Sequence, residues 1–111
     1  EDEKRVTIMC RNQQQIFYLN EIWYLESSAH RTMIHTYENV QVCHDKISDM
    51  EERMGETFVR CHQSFLVNMK YIRRGDHDRF KLENGEEIPI SKKRYMEART
   101  RYFQYLEDAV S

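Results

Sequence analysis

The chain is dominated by short runs in which apolar and polar residues alternate. RVTIMCR, QQIFYL and NEIWYLES come first, and RTMIHTYENVQVCH continues the pattern, with Glu38 and Asn39 at the expected turn of a hairpin. A period of two places alternate side chains on opposite faces, which is typical of half-buried β-strands. TFVRCH, SFLVN, YIRRG and RFKLENGEEIPI repeat it, and Asn84-Gly85 is a strong hairpin signal. The sequence therefore predicts a mainly β domain up to about residue 90.

Two segments change to a helical period. Residues 46–54 place three apolar side chains on one stripe, Ser48 and Glu51 have capping-box spacing, and Gly55 supplies a stop. From Ser91, a candidate N-cap, apolar residues recur at spacings of three and four, so we predict a second helix near residues 92–107.

Length and composition exclude several classes of protein. At 111 residues and 40% hydrophobic content, residues 1–111 fit one domain. Three cysteines without a CxxC pair argue against a disulfide framework, and no run of residues is apolar enough for a membrane span. We therefore expect a cytoplasmic protein without membrane association. The charged start EDEKR indicates a domain cut from a longer chain.

Metal binding, cofactor binding and catalysis find little support. Cys43-His44 and Cys61-His62 are adjacent pairs whose side chains would point to opposite faces of a strand, so neither forms a chelate. His62 and Ser64 could share a face, but only three glycines exist in the chain and no nucleophile elbow accompanies them. We predict no enzyme activity and no cofactor.

Charge is unevenly distributed along the chain. Residues 60–101 carry 11 Lys and Arg against six Asp and Glu, although the whole chain has a net charge of −2. A basic surface on an otherwise acidic domain favours a polyanionic partner, of which DNA is the commonest.

One strand-like stretch, RCHQSFLVN, contains a polar interruption. His62, Gln63 and Ser64 stand where a buried strand would place apolar bulk. This stretch also carries a family resemblance. FVRCHQSFLVNMKYI, together with IWYLESSAHRTMIHT before it and ENGEEIPISKKRY after it, resembles the LytTR family of DNA-binding domains over roughly Val6 to Tyr102.

The resemblance implies a fold and a mode of binding. The fold would be an elongated stack of small antiparallel sheets, about ten strands in all, with short helices. Duplex DNA would be bound by three loops along one edge. In this chain the loops correspond to Ser28–Arg31, His62–Ser64 and Ser91–Arg94, so the polar interruption would be a contact loop.

Roles follow for individual residues. Base contacts would come from His30, Arg31 and Lys93, with Lys92 and Arg94 beside the last of these, and Gln63 would contact a base edge or the sugar-phosphate backbone. The residues expected to hold phosphates are Arg60, Ser64 and Lys70, although Lys70 could equally belong to a solvated face.

Three further residues have structural interpretations. His62 could be buried and hydrogen-bonded, and Asn68 is expected to satisfy backbone groups at a strand end. We expect Glu26 to orient Arg31 or another basic residue.

The resemblance also implies partners. Two copies would occupy a promoter direct repeat as a homodimer, and an N-terminal receiver domain would make the full chain a bacterial response regulator. An alternative is a protein-interaction or dimerisation module that uses the aromatic last helix, with Tyr95, Tyr102, Phe103 and Tyr105.

Overall fold

The computed structural model describes residues 4–110. Within that range the chain forms ten strands and two α-helices. Their bounds are β1 Arg5–Cys10, β2 Gln13–Tyr18, β3 Ile22–Ser28, β4 Arg31–Thr36, β5 Val40–Cys43, α1 Ile47–Met54, β6 Phe58–His62, β7 Phe65–Asn68, β8 Ile72–Gly75, β9 Arg79–Leu82, β10 Glu87–Pro89 and α2 Tyr95–Val110. Short 3-10 turns lie at Leu19–Glu21, Met69–Tyr71 and Lys92–Arg94. The predicted mainly β fold with about ten strands is confirmed.

The strands form three antiparallel sheets. A central sheet has the order β5-β4-β3-β7-β6, with a hairpin of β1 and β2 and a three-stranded sheet in the order β10-β9-β8. The described chain measures 38 × 34 × 25 Å along its principal axes. Pro89 ends an edge strand and the Asn84-Gly85 turn joins β9 to β10, as predicted.

Two hydrophobic cores share the central sheet. The first contains residues of the β1–β2 hairpin and of α1, whereas the second contains residues of the three-stranded sheet and of α2. Adjacent strand residues divide between them: Leu66 belongs to the first core and Val67 to the second. A register shift near Trp23 lets both Trp23 and Tyr24 enter the second core.

Asn68 closes the end of β7 inside the protein. The residue is 1% exposed, and its amide nitrogen donates to the carbonyl oxygens of Ile22 (2.9 Å) and Leu19 (3.3 Å). Its Oδ1 accepts from the Lys70 amide at 3.0 Å. The expectation that Asn68 satisfies backbone groups is therefore confirmed.

The two predicted helices are found, but the cap of α1 and the start of α2 differ from the sequence prediction. The N-cap of α1 is Lys46, which makes no side-chain capping bond, so the proposed Ser48–Glu51 capping box is wrong. Gly55 ends α1 with φ 86°, as expected. Ser91 precedes a 3-10 turn, makes no side-chain capping bond, and is followed by α2 only from Tyr95. Neither helix, within residues 4–110, is long and apolar enough to cross a membrane.

Candidate nucleic-acid interface

The first candidate loop is the tight turn between β3 and β4. Ser28 pairs with Arg31, which leaves Ala29 and His30 as the two turn residues, with φ of 50° and 66°. Two consecutive residues with positive φ are typical of a type I′ turn, whose twist matches that of the flanking strands. His30 and Arg31 are both exposed at the tip of the hairpin. The turn therefore presents an imidazole and a guanidinium to solvent from a rigid base.

The second loop is the Gln63–Ser64 turn between β6 and β7. A register shift before it places His62 opposite Phe65. The Ser64 amide donates to Nδ1 of His62 at 3.0 Å, so the His62 ring holds the turn from inside, and its edge contacts the ring of Phe65. Gln63 is exposed and Ser64 half-buried. The polar interruption is thus the tip of a hairpin, with His62 in the hydrogen-bonded structural role that the sequence left open.

Arg60 holds this second loop from below. Its Nε donates to the carbonyl oxygen of His62 at 3.0 Å, and its Nη2 donates to that of Gln63 at 2.6 Å. Nη1 forms an ion pair with Glu51 of α1 at 2.9 Å. The Arg60 side chain is only 11% exposed. Since these three bonds engage its guanidinium, the geometry favours a positioning role over the phosphate contact expected from the sequence.

The third loop is the 3-10 turn Lys92–Arg94. Lys92 and Lys93 are exposed and Arg94 is half-buried. The turn is closed by a bond from the Arg94 amide to the Ser91 carbonyl oxygen at 3.1 Å. Ser91 Oγ is buried. Among residues 4–110 it is the one buried side-chain oxygen or nitrogen without a hydrogen-bond partner.

Two backbone hydrogen bonds join the three loops. The Ser27 amide donates to the Ser64 carbonyl oxygen at 2.8 Å, which links the base of the first loop to the second. The Ser91 amide donates to the Cys61 carbonyl oxygen at 2.9 Å, which links the third loop to the second. The three segments singled out from the sequence therefore lie side by side at one end of the central sheet.

Lys70 lies elsewhere. It belongs to the 3-10 turn that follows β7, whereas the second loop precedes β7. A strand rises about 3.3 Å per residue, so Lys70 is roughly 15 Å from that loop. Its Nζ lies 5.6 Å from the centre of the Tyr71 ring. Lys70 therefore lies apart from the three loops, which favours the solvated-face alternative, and its phosphate contact stays a prediction.

Two basic residues near the first loop were missed in the sequence. His44 and Lys46 line a hollow together with His30, Arg31 and Arg60. Asp45 lines it too, but its carboxylate is paired with Arg53 at 3.2 Å. His44 and Lys46 directly precede α1, and in the sequence they have no feature that sets them apart from other residues before a helix. Only the fold brings them beside the first loop.

Glu26 orients another basic residue, His35, which is one of the two expected alternatives, and not Arg31. Its Oε1 lies 3.1 Å from Nε2 of His35 on the neighbouring strand, and the His35 ring stacks on Tyr24 with centroids 4.1 Å apart. Orientation of Arg31 by Glu26 is not observed. Glu26 instead fixes a histidine on the surface of the central sheet.

The cysteines and acidic residues offer no reactive or metal site in the described part of the chain. Cys61 is fully buried, its thiol donates to the Pro89 carbonyl oxygen at 3.4 Å, and burial raises its pKa to about 12. A thiol in this state has little thiolate character at neutral pH. Within residues 4–110, no group of three or more His, Cys, Asp and Glu side chains could hold a metal ion.

Comparison with known proteins agrees with the sequence resemblance. The family model for the LytTr DNA-binding domain matches residues 13–102. Among solved structures, the chain is similar to the LytTr DNA-binding domain assigned to a methyl-accepting/DNA response regulator from Bacillus cereus. The TM-score is 0.73 at 23% sequence identity, and the similarity covers 92% of this chain and 98% of that one. No curated protein matches the chain.

Proposed function

Since the chain belongs to the LytTR family of DNA-binding domains, we propose that it is the sequence-specific, double-stranded-DNA-binding domain of a bacterial response regulator. Such a domain regulates transcription in the cytoplasm and performs no catalysis of its own. The observation that carries the proposal is the side-by-side arrangement of three polar loops, joined by the Ser27–Ser64 and Ser91–Cys61 backbone bonds.

The exposed groups on these loops suit a DNA surface. Arg31 can pair with guanine O6 and N7 through a planar fork, and His30 can donate to a base edge in the same groove. Lys93, on the third loop, is a point charge that suits either a base acceptor or a phosphate. Gln63, on the loop between them, offers a donor and an acceptor on one short side chain. These four residues would read sequence.

Other residues would anchor the backbone of the duplex. Lys92 and Arg94 flank Lys93, and Ser64 lies beside Gln63 at the second tip. His44 and Lys46 extend the basic edge past the first loop. Contacts of this kind fix the register of the protein on DNA without specifying sequence.

We propose that two copies bind a promoter direct repeat, with half-sites about one helical turn apart. The full-length protein would carry an N-terminal receiver domain whose phosphorylation promotes this paired occupancy. A 111-residue domain with only a few loop contacts has limited affinity, and adjacent half-sites would raise the occupancy of each.

A footprint of the chain on genomic fragments would identify an operator. Fluorescence anisotropy would then compare affinities for that operator and for a scrambled duplex. His30→Ala should reduce the ratio of the two affinities, and Lys93→Ala should weaken operator binding. Gln63→Ala should cost about 1 kcal/mol or less, because water replaces a single amide contact readily.

Lys70→Ala is the matched control for Lys93→Ala. Both lysines are exposed, and each substitution removes one positive charge, but Lys70 lies at the far end of β7. If DNA binds at the three loops, only the Lys93 variant should bind the operator more weakly. Equal losses in the two variants would show that DNA is attracted by overall charge and would refute the proposed interface.

A further inference from the structure

The outer side of α2 carries a continuous apolar stripe. Met96 is 71% exposed, Phe103 49%, Leu106 40% and Val110 86%. With Arg99, these residues follow one another at intervals of three, four, three and four, which is the spacing of a helix–helix contact seam. Four large apolar side chains exposed together are uncommon on a helix that meets only water.

The stripe is distinct from the side of α2 that packs on the protein. Ala98 and Tyr102 are buried, and Tyr95 and Tyr105 pack against the second core. Three of the four aromatic residues that the sequence suggested for an interaction surface are therefore directed to the core. Phe103 alone remains on the exposed stripe.

Arg99 is held on the stripe beside Phe103. Its guanidinium lies 4.9 Å from the centre of the Phe103 ring, and Nη1 donates to the Tyr95 hydroxyl at 2.7 Å. This arrangement keeps a positive charge at the N-terminal half of an otherwise apolar seam. Glu107, one turn beyond Phe103, places a negative charge at the C-terminal half.

We propose that a second copy of the chain covers this stripe, with the two α2 helices antiparallel and crossing at Phe103. A two-fold contact of this kind brings Met96 of each copy near Val110 of the other and Arg99 near Glu107. Parallel helices would instead place the two Arg99 side chains together. In the antiparallel arrangement the positive N-terminal end of each helix dipole also lies beside the negative C-terminal end of the other, which is favourable.

The contact is small and self-association is correspondingly weak. A helix of 16 residues is about 24 Å long, and one side of it buries less than the roughly 800 Å² per partner of a standard stable interface. We expect a dissociation constant on the order of 0.1–1 mM for the isolated chain. The proposal concerns the protein without DNA, so it does not depend on the proposed function.

Sedimentation velocity of the 111-residue chain, up to about 1 mM without DNA, measures this equilibrium. Phe103→Asp should raise the dissociation constant at least about tenfold. Ile16→Asp is the matched control, because Ile16 is 60% exposed on β2, away from α2. This substitution should leave the dissociation constant unchanged. A wild-type chain that stays monomeric over the whole range would overturn the proposal, as would equal effects of the two variants.

A charge exchange tests the orientation of the helices. Arg99→Glu and Glu107→Arg should each weaken self-association by placing like charges opposite each other. The double variant should restore it. If the double variant is as weak as either single one, the antiparallel pairing is refuted, and any remaining dimer uses another surface. Circular dichroism of each variant confirms that α2 is still folded.

Discussion

Arg60 offers the sharpest test of how the second loop works. Arg60→Gln removes two bonds to the carbonyl oxygens of His62 and Gln63 and one ion pair to Glu51. Hydrogen bonds from a charged group contribute about 1.5–3 kcal/mol each, but Gln63 is exposed, so water replaces part of this. The Glu51 side chain is 41% exposed, so its ion pair adds about 0–1 kcal/mol.

Because water and the glutamine amide take over much of the bonding to the two carbonyl oxygens, we expect a net loss of about 1–2 kcal/mol for the ordered conformation of the loop. If binding requires that conformation, the Kd for operator DNA should rise about 5- to 30-fold. The decisive quantity is the salt dependence. A phosphate contact contributes about 0.9 to the slope of log K against log salt concentration. Arg60→Gln should lower affinity at every salt concentration without changing that slope, whereas Lys93→Ala should reduce it if Lys93 meets a phosphate.

Glu51→Gln distinguishes the two roles of Arg60 by the sign of its effect. Releasing a phosphate-binding arginine from a competing carboxylate should strengthen DNA binding, whereas loosening a positioning arginine should weaken it or leave it unchanged. Glu52→Gln, on the same helix, corrects for the loss of one negative charge. A reduced slope in Arg60→Gln, together with tighter binding by Glu51→Gln than by Glu52→Gln, would refute the positioning role.

The remaining predictions concern the protein interior. Asn68→Ala should lower the free energy of unfolding by about 2–4 kcal/mol, measured by urea denaturation, because it leaves buried backbone groups unpaired; a loss below about 1 kcal/mol would contradict this. Ser91→Ala should be neutral or stabilising, since the buried hydroxyl has no partner, whereas a true N-cap would lose about 1 kcal/mol. The three buried thiols should resist Ellman's reagent near pH 8 until denaturant is added, because burial raises the pKa of each; rapid labelling of Cys61 would show that its strand opens.

The strands were predictable because alternation and turn residues act locally. Asn84-Gly85 and Gly55 ended their elements where expected. The first loop was harder to define, since Ala29 and His30 lack the Asn-Gly signature of a type I′ turn. Only the family resemblance drew attention to it.

Side-chain partners across the fold were the least predictable feature. Glu51 lies three residues after Ser48, which suggested a local capping box, yet it pairs with Arg60. Glu26 pairs with His35 on the adjacent strand because antiparallel pairing places Glu26 opposite Met33, with His35 two residues further along. Such pairs depend on strand register and helix docking, which a single sequence does not specify.

The type I′ turn at Ala29 has a consequence for the evolution of this surface. A left-handed backbone is unfavourable for alanine by about 1 kcal/mol, and glycine would remove that strain. Glycine would also allow the turn to adopt more backbone conformations in the unbound protein. Alanine thus makes the turn less stable but more rigid. Selection for a fixed orientation of His30 would retain alanine at position 29. Laboratory evolution for thermal tolerance alone should discard this alanine early.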